Sequence, residues 1–235
     1  EKKFPQYWRY EEDEGSKNQF EKELLEQQLK RLSKQCKWSY HKITHLEAGK
    51  KLNEQFNQIK DNDVNFVVYN FVDMLSHART DMEVIRELAN DEAAYRSLTK
   101  SWFEHSPLHD LIQKFREAGV RLIITTDHGT VKVTKPVKIV GERNTNTNLR
   151  YKVGRGLSYD KKDVFVVNKP TEAFLPQIKL SNEYVFAREA DFFVYPNNYN
   201  HFVNHYGDTF QHGGISMEEM LIPFIELQPI YLFLI

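Results

Sequence analysis

Residues 64–72 form a nearly unbroken apolar run of β-type residues, as a strand covered on both faces requires, and residues 120–126 form a second. Helical sequence, residues 81–89 and 93–118, fills the interval and is punctuated by Gly119. Parallel neighbours need a crossover connection, so this alternation predicts an α/β fold: a mostly parallel sheet flanked by helices. Both runs finish in the same residue types, Asp73 with His77 after the first and Asp127 with His128 after the second. In an open α/β sheet, functional groups project from the carboxyl ends of the strands, so the two ends can feed one pocket.

The flanking sequence extends this pattern. Phe20, Leu24, Leu25, Leu29 and Leu32 recur near a helical period, Trp38, Tyr40 and Ile43 alternate as in a half-buried strand, and residues 46–59 read as another helix. Beyond Asp127 the character changes, and residues 129–163 read as a basic insertion of short strands and loops. Further strands are expected at 164–167, 184–186 and 192–195. Ser216 followed by Glu219 is a capping-box signal, so a helix is expected just after Gly213 and Gly214.

A hydrophobic fraction of 40% in 235 residues is ample for a packed core. The formal net charge of -1 gives no global attraction to a polyanion, so any such binding needs a local patch. The one cysteine, Cys36, has no intramolecular disulfide partner, and no apolar stretch reaches the roughly eighteen residues of a membrane span. A soluble, reducing, cytoplasmic setting without membrane insertion is expected. The opening residues, Glu1-Lys2-Lys3-Phe4-Pro5, read as the middle of a longer polypeptide.

Histidine spacing alone says little here, because nine histidines produce several pairs at i, i+4, such as His41 with His45, His105 with His109 and His201 with His205. Context separates the others. Asp73 and His77 share one face if the residues after the first strand turn helical, and carboxylate oxygen with imidazole nitrogen suits zinc; the alternative is a helix-capping Asp beside a solvated His. Asp127 and His128, in the turn before Gly129, can reach one ion, or Asp127 can serve only neighbouring amides. His212, beside two glycines and a helix start, suits a metal-bound phosphate, or sits exposed in a flexible turn. The insertion carries Arg143, Arg150, Lys152 and Arg155 among other cations, with Tyr151, Tyr159 and several Asn between them. Such a mixture can hold single-stranded nucleic acid, or be a solvated loop.

The order Asp-x-x-x-His, then Asp-His-Gly after a strand, then a late His, resembles the two-zinc site of the alkaline phosphatase superfamily. The segment Gln211-His212-Gly213-Gly214-Ile215-Ser216-Met217-Glu218-Glu219 through Ile222-Pro223 is similar to the signature of its PglZ branch. Within that branch the chain resembles the carboxyl-terminal part of the PorX-type response regulators of type IX secretion. The resemblance implies an alkaline-phosphatase-like fold with residues 1–235 as the carboxyl-terminal part of a PglZ-type domain, and a receiver domain and first strand upstream. It implies two zinc ions, one held by Asp73, His77 and His212, the second served by Asp127 and His128. The nucleophile, a Thr or Ser preceding the Asp-x-x-x-His motif in the superfamily, has no counterpart before Asp73. It is expected upstream of this chain.

The resulting expectation is a zinc-dependent phosphodiesterase acting on cyclic and linear oligonucleotides, with Arg143, Arg150, Lys152 and Arg155 holding the substrate. A homodimer, a sigma factor and a membrane component of the secretion machine are the partners the resemblance implies. The competing expectation is a zinc-stabilised regulatory module that recruits those partners without hydrolysis.

Overall fold

The structure, a computed structural model, describes residues 20–142, 145–176 and 182–229. The chain divides into two compact units, one built from Glu21–Thr125 with the last described strand, the other from Thr126–Ile222.

The first unit runs α1 (Glu21–Arg31), β1 (Trp38–Ile43), α2 (Leu46–Glu54), α3 (Phe56–Ile59) and β2 (Val64–Tyr69). β1 and β2 pair in parallel, from Trp38 opposite Val64 to Ile43 opposite Tyr69. Next come α4 (Phe71–Asp81), α5 (Glu83–Leu88), α6 (Glu92–Glu104), α7 (Pro107–Glu117) and β3 (Leu122–Thr125). β3 pairs antiparallel with β11 (Phe224–Leu227). Leu111 and Phe115, one turn apart on α7, pack with Ile43, Leu52 and Ile59, while Val67, Tyr69 and Leu122 lean on the same core. Each such burial contributes about 1.5–3 kcal/mol relative to exposure.

Two expectations about this unit need correction. The helix expected over 93–118 is two helices, because the residue before Pro107 is pushed out of the helical region. Ser106 instead caps α7, its side chain accepting from the His109 N–H, and Gly119 ends it at φ +72°. The first apolar run also stops being a strand at Tyr69. The Met74 N–H bonds the Asn70 carbonyl and the Phe71 ring stacks on Trp102 at 3.7 Å, so Phe71, Val72 and Asp73 form the first turn of α4. An acidic residue is favoured there by the helix dipole.

The second unit contains β4 (Val131–Lys132), β5 (Lys135–Lys138), β6 (Tyr151–Gly154), β7 (Val164–Val167), β8 (Glu183–Ala187), β9 (Asp191–Val194), α8 (Tyr199–Tyr206), β10 (Phe210–Gln211) and α9 (Met217–Met220). β4 pairs with β10, β5 runs parallel to β9, and β6, β8 and β7 form an antiparallel sheet in that order. Among the described residues, 129–163 therefore supply three strands, each paired with one from later in the chain. Val137, Ile139, Val164, Val185, Ala187 and Phe193 form one core. Val131, Val133, Phe192 and Val194 form another.

The α/β class holds. Among the described residues, the parallel pairing expected of it lies in β1 with β2 and β5 with β9; the other ladders are antiparallel, and no sheet exceeds three strands.

Candidate metal centre

In the first unit, α4 places Asp73 and His77 four residues apart on one face, with Oδ1 3.6 Å from Nε2. That is beyond a good hydrogen bond. It is close to the ~3.4 Å that separates two ligands about 2.1 Å from a tetrahedral ion. Both side chains are solvent-accessible, at 43% for Asp73 and 67% for His77. The adjoining side of α4 is anchored. Ser76 shares a hydrogen bond of 2.8 Å with the Tyr95 hydroxyl, which also donates to the Val72 carbonyl. Buried Arg79 donates to the carbonyls of Ala89 and Asn90. Burial, with the Asp73 charge adding to it, raises the Tyr95 pKa and keeps that hydroxyl a donor.

In the second unit, the turn after β3 carries Asp127 and His128. The His128 N–H donates to Asp127 Oδ1 at 3.1 Å, and the Thr126 hydroxyl donates to the His128 carbonyl at 3.0 Å. His128 Nδ1 lies 3.0 Å from the Gly129 carbonyl oxygen. A carbonyl can only accept, so Nδ1 carries the proton and Nε2 of the neutral ring presents a lone pair. The His128 and His212 rings stack at 4.0 Å with an interplanar angle of 13°. Asp127, His128 and His212 are thus neighbours in space, although 84 positions separate the last two.

A buried network holds this arrangement. Asn148 Nδ2 donates to the His212 carbonyl at 3.2 Å, while its Oδ1 accepts from the Arg150 and Tyr151 N–H groups. Glu219 accepts from the N–H groups of Gly214 and Ser216 at 2.8 and 3.1 Å, and from Arg150 through Nε and Nη2 at 2.9 Å each. Arg150 also donates to the carbonyls of Asp191 and Glu189. Burial works against the Glu219 carboxylate, but Arg150 and the two amides outweigh it and hold its pKa below the usual carboxylate value. The Glu219 main-chain carbonyl accepts from the Gly129 N–H at 2.9 Å. A Cβ at Gly129 would stand 1.9 Å from the Glu218 carbonyl oxygen, so only glycine permits this approach. The expected helix after Gly214 is the single turn α9, with the Glu219 half of the capping box in place.

The basic residues are distributed differently from the sequence expectation. Arg150 and Lys152, expected at a phosphate-binding surface, are buried at 0% and 1%. Desolvating a cation requires partners, and theirs are internal: Glu219 and carbonyls for Arg150, the Asn146 carbonyl and the Tyr195 ring for Lys152. Arg155 is exposed and paired with Glu142 at 3.0 Å. Arg143 lies outside the described residues. Of the histidine pairs set aside, His201 and His205 stack at 6.0 Å on α8, and His105 bonds the Ser101 carbonyl.

The family model described as BREX system PglZ alkaline phosphatase-like domain matches residues 1–227. The chain belongs to that family. Its α/β fold is accordingly alkaline-phosphatase-like. Among solved structures, this PglZ-family chain is similar to phosphonoacetate hydrolase from Sinorhizobium meliloti 1021, crystallised in complex with phosphonoformate. The identity is 14% and the TM-score 0.45, over 80% of this chain and 50% of that one, so the chain spans about half the length of that enzyme. No curated protein matches it.

The donor set of this PglZ chain is carboxylate and imidazole without thiolate, which fits a catalytic zinc centre better than a cysteine-rich structural one. What the sequence reading missed is the support, namely Asn148, Arg150 and Glu219. Glu219 was visible only as a capping residue, and nothing in the local sequence linked it to Arg150.

Proposed function

We propose that this chain is part of a two-zinc phosphodiesterase, with Asp73, His77 and His212 serving one ion and Asp127 and His128 the other. The observation that carries the reading is the stacking of His128 and His212 beside Asp127, with His128 Nδ1 already committed to a carbonyl. Zinc bound by such residues supplies Lewis acidity and neutralises charge on a phosphoryl group. The chain's own part is to fix the donors. Gly129 and the Gly213–Gly214 turn let the backbone approach closely, and Glu219 ties both segments to one residue. The nucleophile is not assigned to any residue of this chain.

The finer reading is a PorX-like effector of type IX secretion, acting on cyclic and linear oligonucleotides. It rests on the motif order and on the signature around His212. The homodimer, sigma factor and membrane component belong to the same proposal.

The test is zinc analysis and hydrolysis of bis(p-nitrophenyl) phosphate by the full-length protein and its His77→Ala and His212→Ala variants. Both variants are expected to lose zinc and activity. Wild-type zinc and turnover in both would overturn the site, and zinc without turnover in the unmodified protein would favour a binding module.

A further inference from the structure

The main-chain polar groups of His128 and Gly129 are all engaged. The His128 N–H donates to Asp127 Oδ1 at 3.1 Å, and the His128 carbonyl accepts from the Thr126 hydroxyl at 3.0 Å. The Gly129 N–H donates to the Glu219 carbonyl at 2.9 Å, and the Gly129 carbonyl accepts from His128 Nδ1 at 3.0 Å. Of these four bonds, three are closed by the side chains of Thr126, Asp127 and His128, within the turn itself. A turn tied in this way holds its shape without a bound ion, so the groups it carries are set before one arrives.

The same bonds sort the atoms of the two candidate ligands. Asp127 Oδ1 and His128 Nδ1 are held inside the turn. Among the described residues, Asp127 Oδ2 accepts no hydrogen bond, and His128 Nε2 is the ring nitrogen left with a lone pair. Nε2 lies 3.8 Å from Asp127 Oδ1, so the two side chains face one region. Each has one atom that fixes it and one atom to offer.

Among the residues that close the turn, Asp127 and His128 are themselves candidate ligands, and Glu219 also anchors Gly214 and Ser216. Thr126 has neither role. We infer that Thr126 is a positioning residue of the metal centre: its hydroxyl fixes the turn that presents Asp127 Oδ2 and His128 Nε2 together. Oγ1 stands between two acceptors, the His128 carbonyl at 3.0 Å and Asp127 Oδ1 at 3.3 Å. The shorter contact is the hydrogen bond proper, since O–H···O bonds extend to about 3.0 Å. A β-branched side chain is stiff at χ1, which keeps the hydroxyl aimed at the pair. Valine here would keep that shape without the donor, and serine would keep the donor with more rotamer freedom.

The role toward an ion rests on the two-zinc reading, whereas the hold on the turn is measurable without metal. The test therefore has two readouts, both on the full-length protein, with Thr126→Val, Thr126→Ala and Thr126→Ser compared with the parent and circular dichroism to confirm folding. The first is hydrogen–deuterium exchange, after chelator treatment, in a peptide that includes residues 126–129. Both donor-free variants should exchange there at least about threefold faster, the factor that follows from losing one ordinary hydrogen bond, and Thr126→Ser should stay near the parent. The second is zinc affinity by competition with a chelator. Thr126→Val and Thr126→Ala should weaken the ion assigned to Asp127 and His128 about tenfold, the lower end of the range for groups that support a ligand. The ion assigned to Asp73, His77 and His212 should bind as in the parent, and Thr126→Ser should restore the weakened one. Parent-like exchange and affinity in the folded donor-free variants would overturn the proposal, as would a parent turn protected only after zinc is added. Equal weakening of both ions would mark a general loosening and overturn it too. A parent that binds no zinc, while the donor-free variants still lose protection, would count against the zinc reading and leave the hold of Thr126 on the turn standing.

Discussion

Arg150 and Glu219 face each other in two parallel hydrogen bonds of 2.9 Å, with side-chain exposures of 0% and 1%. The Glu219 carboxylate also gathers the amides of Gly214 and Ser216, and its main-chain carbonyl holds the Gly129 amide. One residue thereby fastens the loop that follows His212 and the turn that follows His128.

Removing either partner should leave a buried charge uncompensated, at a cost of about 3–5 kcal/mol. Arg150→Met and Glu219→Gln are each expected to lower the urea midpoint by that equivalent. The double variant Arg150→Met, Glu219→Leu should be less destabilised than the sum of the single changes. Single-variant losses below about 1 kcal/mol, the usual size for an exposed pair, would show that the pair clamps nothing.

Stability should also carry the Glu219 proton linkage. Its folded pKa is depressed, so between that value and the unfolded value the unfolded chain binds more protons, and stability rises with pH. The contribution is fully present above the ordinary carboxylate value of about 4.3 and is lost as pH falls through the folded pKa. Denaturation measured from pH 3 to 6 should show a steeper acid loss for the unmodified chain than for Glu219→Gln. Parallel curves would remove Glu219 from the linkage.

Gly129→Ala should be poorly tolerated, because the added methyl would meet a backbone oxygen and not a flexible side chain. Overpacking costs about 1–3 kcal/mol, and here relief requires moving the turn that carries His128. The expected outcome is reduced thermal stability together with reduced zinc retention. An alanine variant matching the parent in both measurements would show that the close approach is not needed.

His128→Ala should reduce zinc affinity by at least about 100-fold, the upper end of the range seen for groups that only support a ligand. Equilibrium dialysis against a competing chelator reads this directly. His201→Ala, on α8 and outside the proposed ligands, serves as the control and should bind zinc as the parent does.

Tyr95→Phe should cost about 0.5–1.5 kcal/mol by deleting the hydroxyl that meets Ser76 and the Val72 carbonyl. Because these contacts hold the first turns of α4, amide exchange there should speed up as well. Unchanged exchange would mean that the helix start is held by other contacts, such as Phe71 on Trp102.

Much of the architecture was legible because periodicity and punctuation are local. β1, the start of β2, β3 and the end of α7 lie where alternation, apolar runs and Gly119 place them. The misplaced boundary at Asp73 has a local cause too. Phe71 and Val72 are as apolar as the strand before them, and a tertiary contact, the Phe71 ring on Trp102, goes with their place in the helix.

The candidate ligands are a property of the sequence. Asp73, His77, Asp127 and His128 stand out by residue type and by their positions after apolar runs, His212 by the two glycines and the helix start beside it, and family membership follows from the chain itself. The fate of the cations was decided only on folding. Arg150, Lys152 and Arg155 look alike in a basic stretch, yet the first two are drawn inside by Glu219, carbonyls and Tyr195, while Arg155 stays at the surface. Charge is written locally, whereas desolvation depends on which distant groups arrive to compensate it, and those arrivals belong to the packed chain alone.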